Sequence, residues 1–130
     1  MLTSFQVTTY LAASQAVSLD DSFRNVMLMG QYFYYQLLPG NSESFEYLST
    51  LTVKLESIVG DADLVVSTSL KLPRLNDPSN MVFTSRQTDR FEAITLVRSE
   101  NFTLNRPIYI GVYASSMTAY ALKFERTYTL

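Results

Sequence analysis

Gly60-Asp61-Ala62-Asp63-Leu64-Val65-Val66-Ser67 is the most informative stretch of the chain. Gly60-Asp61 is a turn signal, and the apolar run that follows it reads as a strand over residues 63–69. Residues two apart along a strand share a face, so the carboxylates of Asp61 and Asp63 are expected to point the same way and repel each other. Three compensators would satisfy them. A hard cation such as calcium suits clustered carboxylate and carbonyl oxygens, with Asp77 in a later loop as a further ligand. An Arg or Lys from a neighbouring strand would also serve. So would the backbone amides of the Gly60 turn, accepting one carboxylate as a cap.

Outward from this stretch the chain keeps a period of two. Leu51, Val53 and Leu55 alternate with Thr52, Lys54 and Glu56, which puts three apolar side chains on one face of a strand. Ile108, Ile110 and Val112 follow Pro107, where a proline does not disturb a ladder. Tyr120, Leu122 and Phe124 alternate with Ala121, Lys123 and Glu125. Weaker runs occupy residues 5–11, 23–29, 32–38, 81–85 and 91–97. Turn signals separate them at 39–42, 60–61, 73–80 and 101–106. The expected fold is all-β: a two-sheet antiparallel β-sandwich of jelly-roll type with about eight or nine strands, plus an extra N-terminal strand. The expected division is an uncharged segment over 1–16 and a sandwich domain over 17–130.

Composition narrows the function. The 130 residues contain neither cysteine nor histidine, which removes thiol nucleophiles, zinc knuckles and the commonest general base. A chain this long buries enough surface to need no disulfide. A net charge of −2 with no polybasic run speaks against nucleic acid as a partner. The charge is uneven, with a net of −5 over residues 1–70 and +3 over 71–130, an asymmetry that would favour contacts between copies unless the two halves interleave. No stretch approaches the length of a membrane span, so no membrane insertion is expected. Residues 1–19 are uncharged but too polar for a signal peptide, and are taken as mature protein.

Phosphate-cradling loops and nucleophile elbows need glycines two to five residues apart. Here glycine stands only at 30, 40, 60 and 111. Paired carboxylates remain available for acid–base chemistry, yet nothing in the sequence selects a pair. The chain is therefore expected not to be an enzyme and to require no cofactor, with calcium as the one candidate ion.

Taken together, Gly60-Asp61-Ala62-Asp63-Leu64-Val65-Val66-Ser67, the Pro73–Pro78 loop and Tyr109-Ile110-Gly111-Val112-Tyr113 resemble the bacterial pre-peptidase C-terminal domain family, in a divergent eukaryotic, protist-type extracellular form. Gly30-Gln31-Tyr32-Phe33-Tyr34-Tyr35 is similar to the segment in which that family places a glycine and an aromatic pair before the acidic turn. The resemblance spans about residues 17–128. It departs from the family pattern at Val65, where an aromatic is usual, and in a polar insertion over 41–49. It implies a jelly-roll-like sandwich appended to secreted peptidases or found in other extracellular or cell-surface proteins, where it is not the catalytic part. Related collagen-binding domains carry calcium and grip fibrous ligands through surface aromatics.

The sequence has nine tyrosines and eight phenylalanines. Tyr32 and Tyr34, opposite in parity to Phe33 and Tyr35, are the expected exposed pair for a glycan or a fibrous protein. Asn101-Phe102-Thr103 is an N-glycosylation sequon. Residues 3–11 alternate Phe5, Val7, Thr9 and Leu11 against polar neighbours, and such a strand seeks an edge, in its own sheet or in that of another copy. Strand addition that does not close would build a filament. The expected function is a non-catalytic extracellular or cell-surface structural or adhesive module, with protein partners that are other copies or the rest of a larger surface protein. The alternative is a glycan- or fibrous-protein-binding module assisted by calcium.

Overall fold

A computed structural model of the chain describes residues 14–18, 20–38, 48–76, 82–85, 90–98, 100–103 and 106–128. Among them are nine strands: β1 (Gln15–Val17), β2 (Phe23–Met27), β3 (Tyr32–Leu37), β4 (Leu48–Val59), β5 (Ala62–Ser67), β6 (Val82–Ser85), β7 (Phe91–Val97), β8 (Ile108–Ala114) and β9 (Thr118–Tyr128). They form a sandwich of a five-stranded sheet, β1-β3-β8-β5-β6, and a four-stranded sheet, β2-β9-β4-β7. The two-sheet expectation holds. One pairing departs from an all-antiparallel arrangement: β1 runs parallel to β3, with Gln15 opposite Tyr35. The proposed N-terminal strand with Phe5, Val7 and Leu11 lies outside the described residues, as does Asp77.

The alternating runs become the four-stranded sheet. In β4, Leu51, Val53 and Leu55 are buried, while Thr52, Lys54 and Glu56 are half-exposed. In β7 the alternation is complete, with Glu92, Ile94 and Leu96 buried and the intervening residues exposed. β9 places Tyr120 and Leu122 inward against them. The five-stranded sheet differs, because β5 is buried at every residue and β8 at all but Tyr113. A strand covered on both faces reads as a continuous apolar run, which is how Leu64-Val65-Val66 reads.

The second cover comes from the chain after β5. Pro73 is buried, and its carbonyl lies 3.3 Å from where a Cβ on Gly111 would sit. The Leu75 amide donates to the Tyr32 hydroxyl at 3.1 Å. Gly111 stands between Tyr34 and Val65 in register, and both lean over it closely enough to leave no room for a Cβ.

Two tyrosines meet in the core. The hydroxyls of Tyr35 and Tyr120 lie 2.6 Å apart, joining β3 of one sheet to β9 of the other. Burial raises the pKa of both phenols, so they remain neutral partners. Deleting one hydroxyl leaves the other with a lost partner in the core. Tyr120→Phe is therefore expected to cost about 1–3 kcal/mol, and the double variant Tyr35→Phe with Tyr120→Phe to recover most of it. Urea melts of the four proteins in the cycle measure this; strictly additive losses would refute the coupling.

Candidate metal centre

At the end of the sandwich where β4 turns into β5 and β7 begins, three carboxylates converge. Asp61 sits just before β5, Asp63 is its second residue and Glu92 is the second residue of β7. One oxygen from each lies within 4.8 Å of the others. The expected acidic pair is thus brought together, with a third member from the facing sheet. Asp63 is 5% exposed and Glu92 is 4% exposed, while Asp61 is half-buried.

The turn that delivers Asp61 is built by the β8–β9 connection. Gly60 adopts φ +80°, a left-handed conformation, and brings the chain against Met117 and Thr118. The Asp61 carbonyl accepts from the Ser115 amide at 3.1 Å, and the Ser115 hydroxyl reaches the same carbonyl at 3.0 Å and Oδ2 of Asp61 at 3.1 Å. The Thr118 hydroxyl accepts from the Asp61 amide at 3.2 Å and donates to the Ser116 carbonyl at 2.8 Å. These contacts fix the backbone and one carboxylate oxygen of Asp61. Its other oxygen, Oδ1, is buried without a hydrogen-bond partner among the described residues.

Glu92 is the more exceptional group. Both of its oxygens are buried without a hydrogen-bond partner among the described residues. Burial pushes its pKa up to about 8; the nearby Ser85 hydroxyl offsets part of the shift, and the charges of Asp63 and Asp61 add to it. A buried carboxylate is ordinarily paired or hydrogen-bonded, since leaving it bare is costly. The described salt bridges lie elsewhere: Lys54 with Glu125, Arg90 with Glu56, and Arg126 with Asp20. The donor set fits a hard divalent cation, because carboxylates ligate calcium singly or in bidentate fashion and three of them supply up to six oxygens.

Glu92 was visible to sequence reasoning only through parity. It shares the inward face of β7 with Ile94 and Leu96. A carboxylate in an apolar slot of an alternating strand is the signal.

The other expected residues lie apart from the cluster. Tyr32 and Tyr34 do share a face and stack with ring centroids 5.6 Å apart, but they are not an exposed pair. Tyr34 is 6% exposed and Tyr32 half-buried, with the Arg74 guanidinium 5.3 Å from the Tyr32 ring centroid. The segment after β5 covers the face that parity alone would leave open. Asn101 is half-exposed in the turn after β7, where its Oδ1 accepts from the Val97 amide at 2.8 Å. Phe102 beside it is buried in the core.

Comparison with known proteins places this architecture. The chain has the fold of the pre-peptidase C-terminal domain of a collagenase from Bacillus anthracis, with a TM-score of 0.61 over 87% of this chain and 95% of that one. Sequence identity between the two is 10%, so the likeness is one of fold. No protein-family model matches the chain, and no curated protein does.

Proposed function

We propose that the chain is a non-catalytic extracellular structural or adhesive module whose sandwich is tied at one end by a divalent cation, calcium foremost, held by Asp61, Asp63 and Glu92. The observation that carries this reading is the Glu92 carboxylate, buried beside two aspartates, with no cation paired to it and neither oxygen in a geometrically satisfied hydrogen bond among the described residues. Such a group destabilises the fold unless a cation or a proton neutralises it. A cation there would join β5 of one sheet to β7 of the other, which stiffens the module without any turnover. The burial of Asp63 and Glu92 also argues against catalysis, since a polymer substrate would have to reach them through the packed end of the sandwich. Extracellular modules hold calcium at dissociation constants of roughly 10⁻⁴–10⁻³ M, within reach of a three-carboxylate set. The sequence's resemblance to a family found on secreted peptidases, and its fold shared with a collagenase domain, support an extracellular location.

Self-association by strand addition through residues 3–11 belongs to the same reading. It needs an open edge, and β7 ends the four-stranded sheet. The outward residues of β7, Phe91, Ala93, Thr95 and Val97, carry no charge of the kind that blocks edge pairing.

Melting in millimolar calcium against excess EDTA tests the cation. At about ten times the dissociation constant a single site adds about 1.4 kcal/mol, which raises the melting temperature by a few degrees in a domain of this size. Asp63→Asn and Glu92→Gln are expected to abolish the shift. Equal melting temperatures in calcium and in EDTA would overturn the site.

A further inference from the structure

The outer face of the four-stranded sheet, away from the carboxylates' buried side, is hollow. A groove of about 660 Å³ crosses it, and its lining includes the cations Arg24, Lys54 and Lys123, the acids Glu56 and Glu92, and the ring of Phe91. The strand register explains the shape. Arg24 of β2 stands opposite Ala121 of β9, Ala121 opposite Glu56 of β4, and Glu56 opposite Phe91 of β7. The adjacent row places Lys123 of β9 opposite Lys54 of β4, and Lys54 opposite Ala93 of β7. Two alanines form the floor, with an arginine at one end and a phenylalanine at the other. The span from β2 to β7 is three inter-strand spacings, about 14 Å.

Its charge is equally specific. Lys54 and Lys123 are directly opposed across the ladder, an arrangement that is unfavourable for like charges. Glu125 answers Lys54 at 2.8 Å, and Arg90 answers Glu56 at 2.6 Å. Arg24 and Lys123 have no ion-pair partner among the described residues, although Glu125 also feels the charge of Lys123, and three lining cations against the carboxylates of Glu56 and Glu92 leave the groove a modest positive excess in a protein whose net charge is −2. At the far end Phe91 is 64% exposed, with the Arg90 guanidinium 5.6 Å from its ring centroid. An exposed aromatic at one end of a floor of methyl groups, with Arg24 and Lys123 across it, matches a ligand with flat apolar faces and anionic groups.

We infer that this groove binds an acidic polysaccharide, with Arg24 and Lys123 receiving its carboxylate or sulfate groups and Phe91 stacking on a sugar ring. Charge complementarity favours an anionic chain over a neutral one, and the exposed side of the Phe91 ring favours a sugar over an acidic peptide. The inference rests on the reading of the chain as a non-catalytic adhesive module and supplies its ligand class. It does not depend on the cation site.

Heparin and polygalacturonate immobilised on a sensor surface are suitable probes, with dextran as the neutral control and polyglutamate as the acidic-peptide control. Binding is measured both in EDTA and in calcium, so that loss of the cation site and loss of groove binding are told apart. Heparin, polygalacturonate or both are expected to bind, dextran not, and polyglutamate far more weakly. Arg24→Gln and Lys123→Gln are each expected to weaken the polysaccharide by about tenfold, and Phe91→Ala to weaken it by a similar factor while leaving residual polyglutamate binding unchanged. Lys123→Gln also removes the opposed lysine pair, so its melting temperature is expected to stay level or rise, which separates lost binding from lost folding. Absence of binding to both acidic polysaccharides, unchanged binding in the two charge variants, or equal affinity for polyglutamate would each overturn the inference.

Discussion

In EDTA, the protein is expected to lose stability as the pH rises from about 4.5 to about 8, the reverse of what a surface-paired carboxylate produces. The cause is Glu92, whose pKa is pushed from the ordinary 4.5 up to about 8 chiefly by burial. Between those values the folded state holds a proton on Glu92 that the unfolded chain has released. Stability then falls with rising pH, because folding takes up a proton there. The full contribution is present below about 4.5 and is gone once the pH passes about 8. Its size is on the order of 5 kcal/mol, which is large for one side chain in a domain of this length. Glu92→Gln, neutral at every pH, is expected to flatten the profile and to exceed the wild type in stability at pH 9. Calcium binds the deprotonated cluster and is expected to oppose the loss, so the stabilisation it gives grows with pH. Urea midpoints at pH 5, 7 and 9, with and without calcium, decide the matter. A wild-type profile in EDTA parallel to that of Glu92→Gln would show that Glu92 titrates normally.

The sign of that profile shows where the sequence was informative and where it stopped. The strand over 91–97 is legible because its seven residues are rich in β-formers, with Ile94 and Leu96 two apart on one face, and the structure keeps those bounds. What alternation does not say is that the inward slot of Glu92 faces Asp61 and Asp63, since β7 and β5 belong to different sheets. Convergence across a sandwich depends on sheet order, and no local pattern encodes it. The same limit explains Tyr34. Its parity was readable, but its burial comes from the chain around Pro73, folded over a face that would otherwise be open. β1 illustrates a third case: with three residues and a parallel partner it offers neither alternation nor a hairpin turn to recognise. The acidic doublet was legible because local chemistry alone demanded a compensator. That Glu92 joins it as the third carboxylate could be read only from tertiary structure.

Gly60→Ala is expected to be the most damaging single methyl in the chain, and Gly30→Ala provides its internal control. Both glycines have positive φ, +80° at Gly60 and +88° at Gly30, so an added Cβ strains the backbone at either by about 1–2 kcal/mol. At Gly30 nothing lies within 4 Å of the new atom, and the strain is the whole effect. At Gly60 the new carbon would come 2.2 Å from the Met117 carbonyl oxygen and 2.8 Å from the Thr118 hydroxyl. A rotamer change cannot relieve a clash with backbone. The corner between β4 and β5 must move away from the β8–β9 turn, and the hydrogen bonds that Ser115 and Thr118 make to Asp61 stretch or break. Overpacking of this kind adds roughly 1–3 kcal/mol to the strain, for a total of about 2–5 kcal/mol. The displacement also moves Asp61 from Asp63 and Glu92, so the calcium-dependent rise in melting temperature is expected to vanish in Gly60→Ala and to persist in Gly30→Ala. Equal losses of stability in the two variants, with the calcium response intact in both, would mean that the Gly60 corner neither packs against Met117 nor positions the carboxylates.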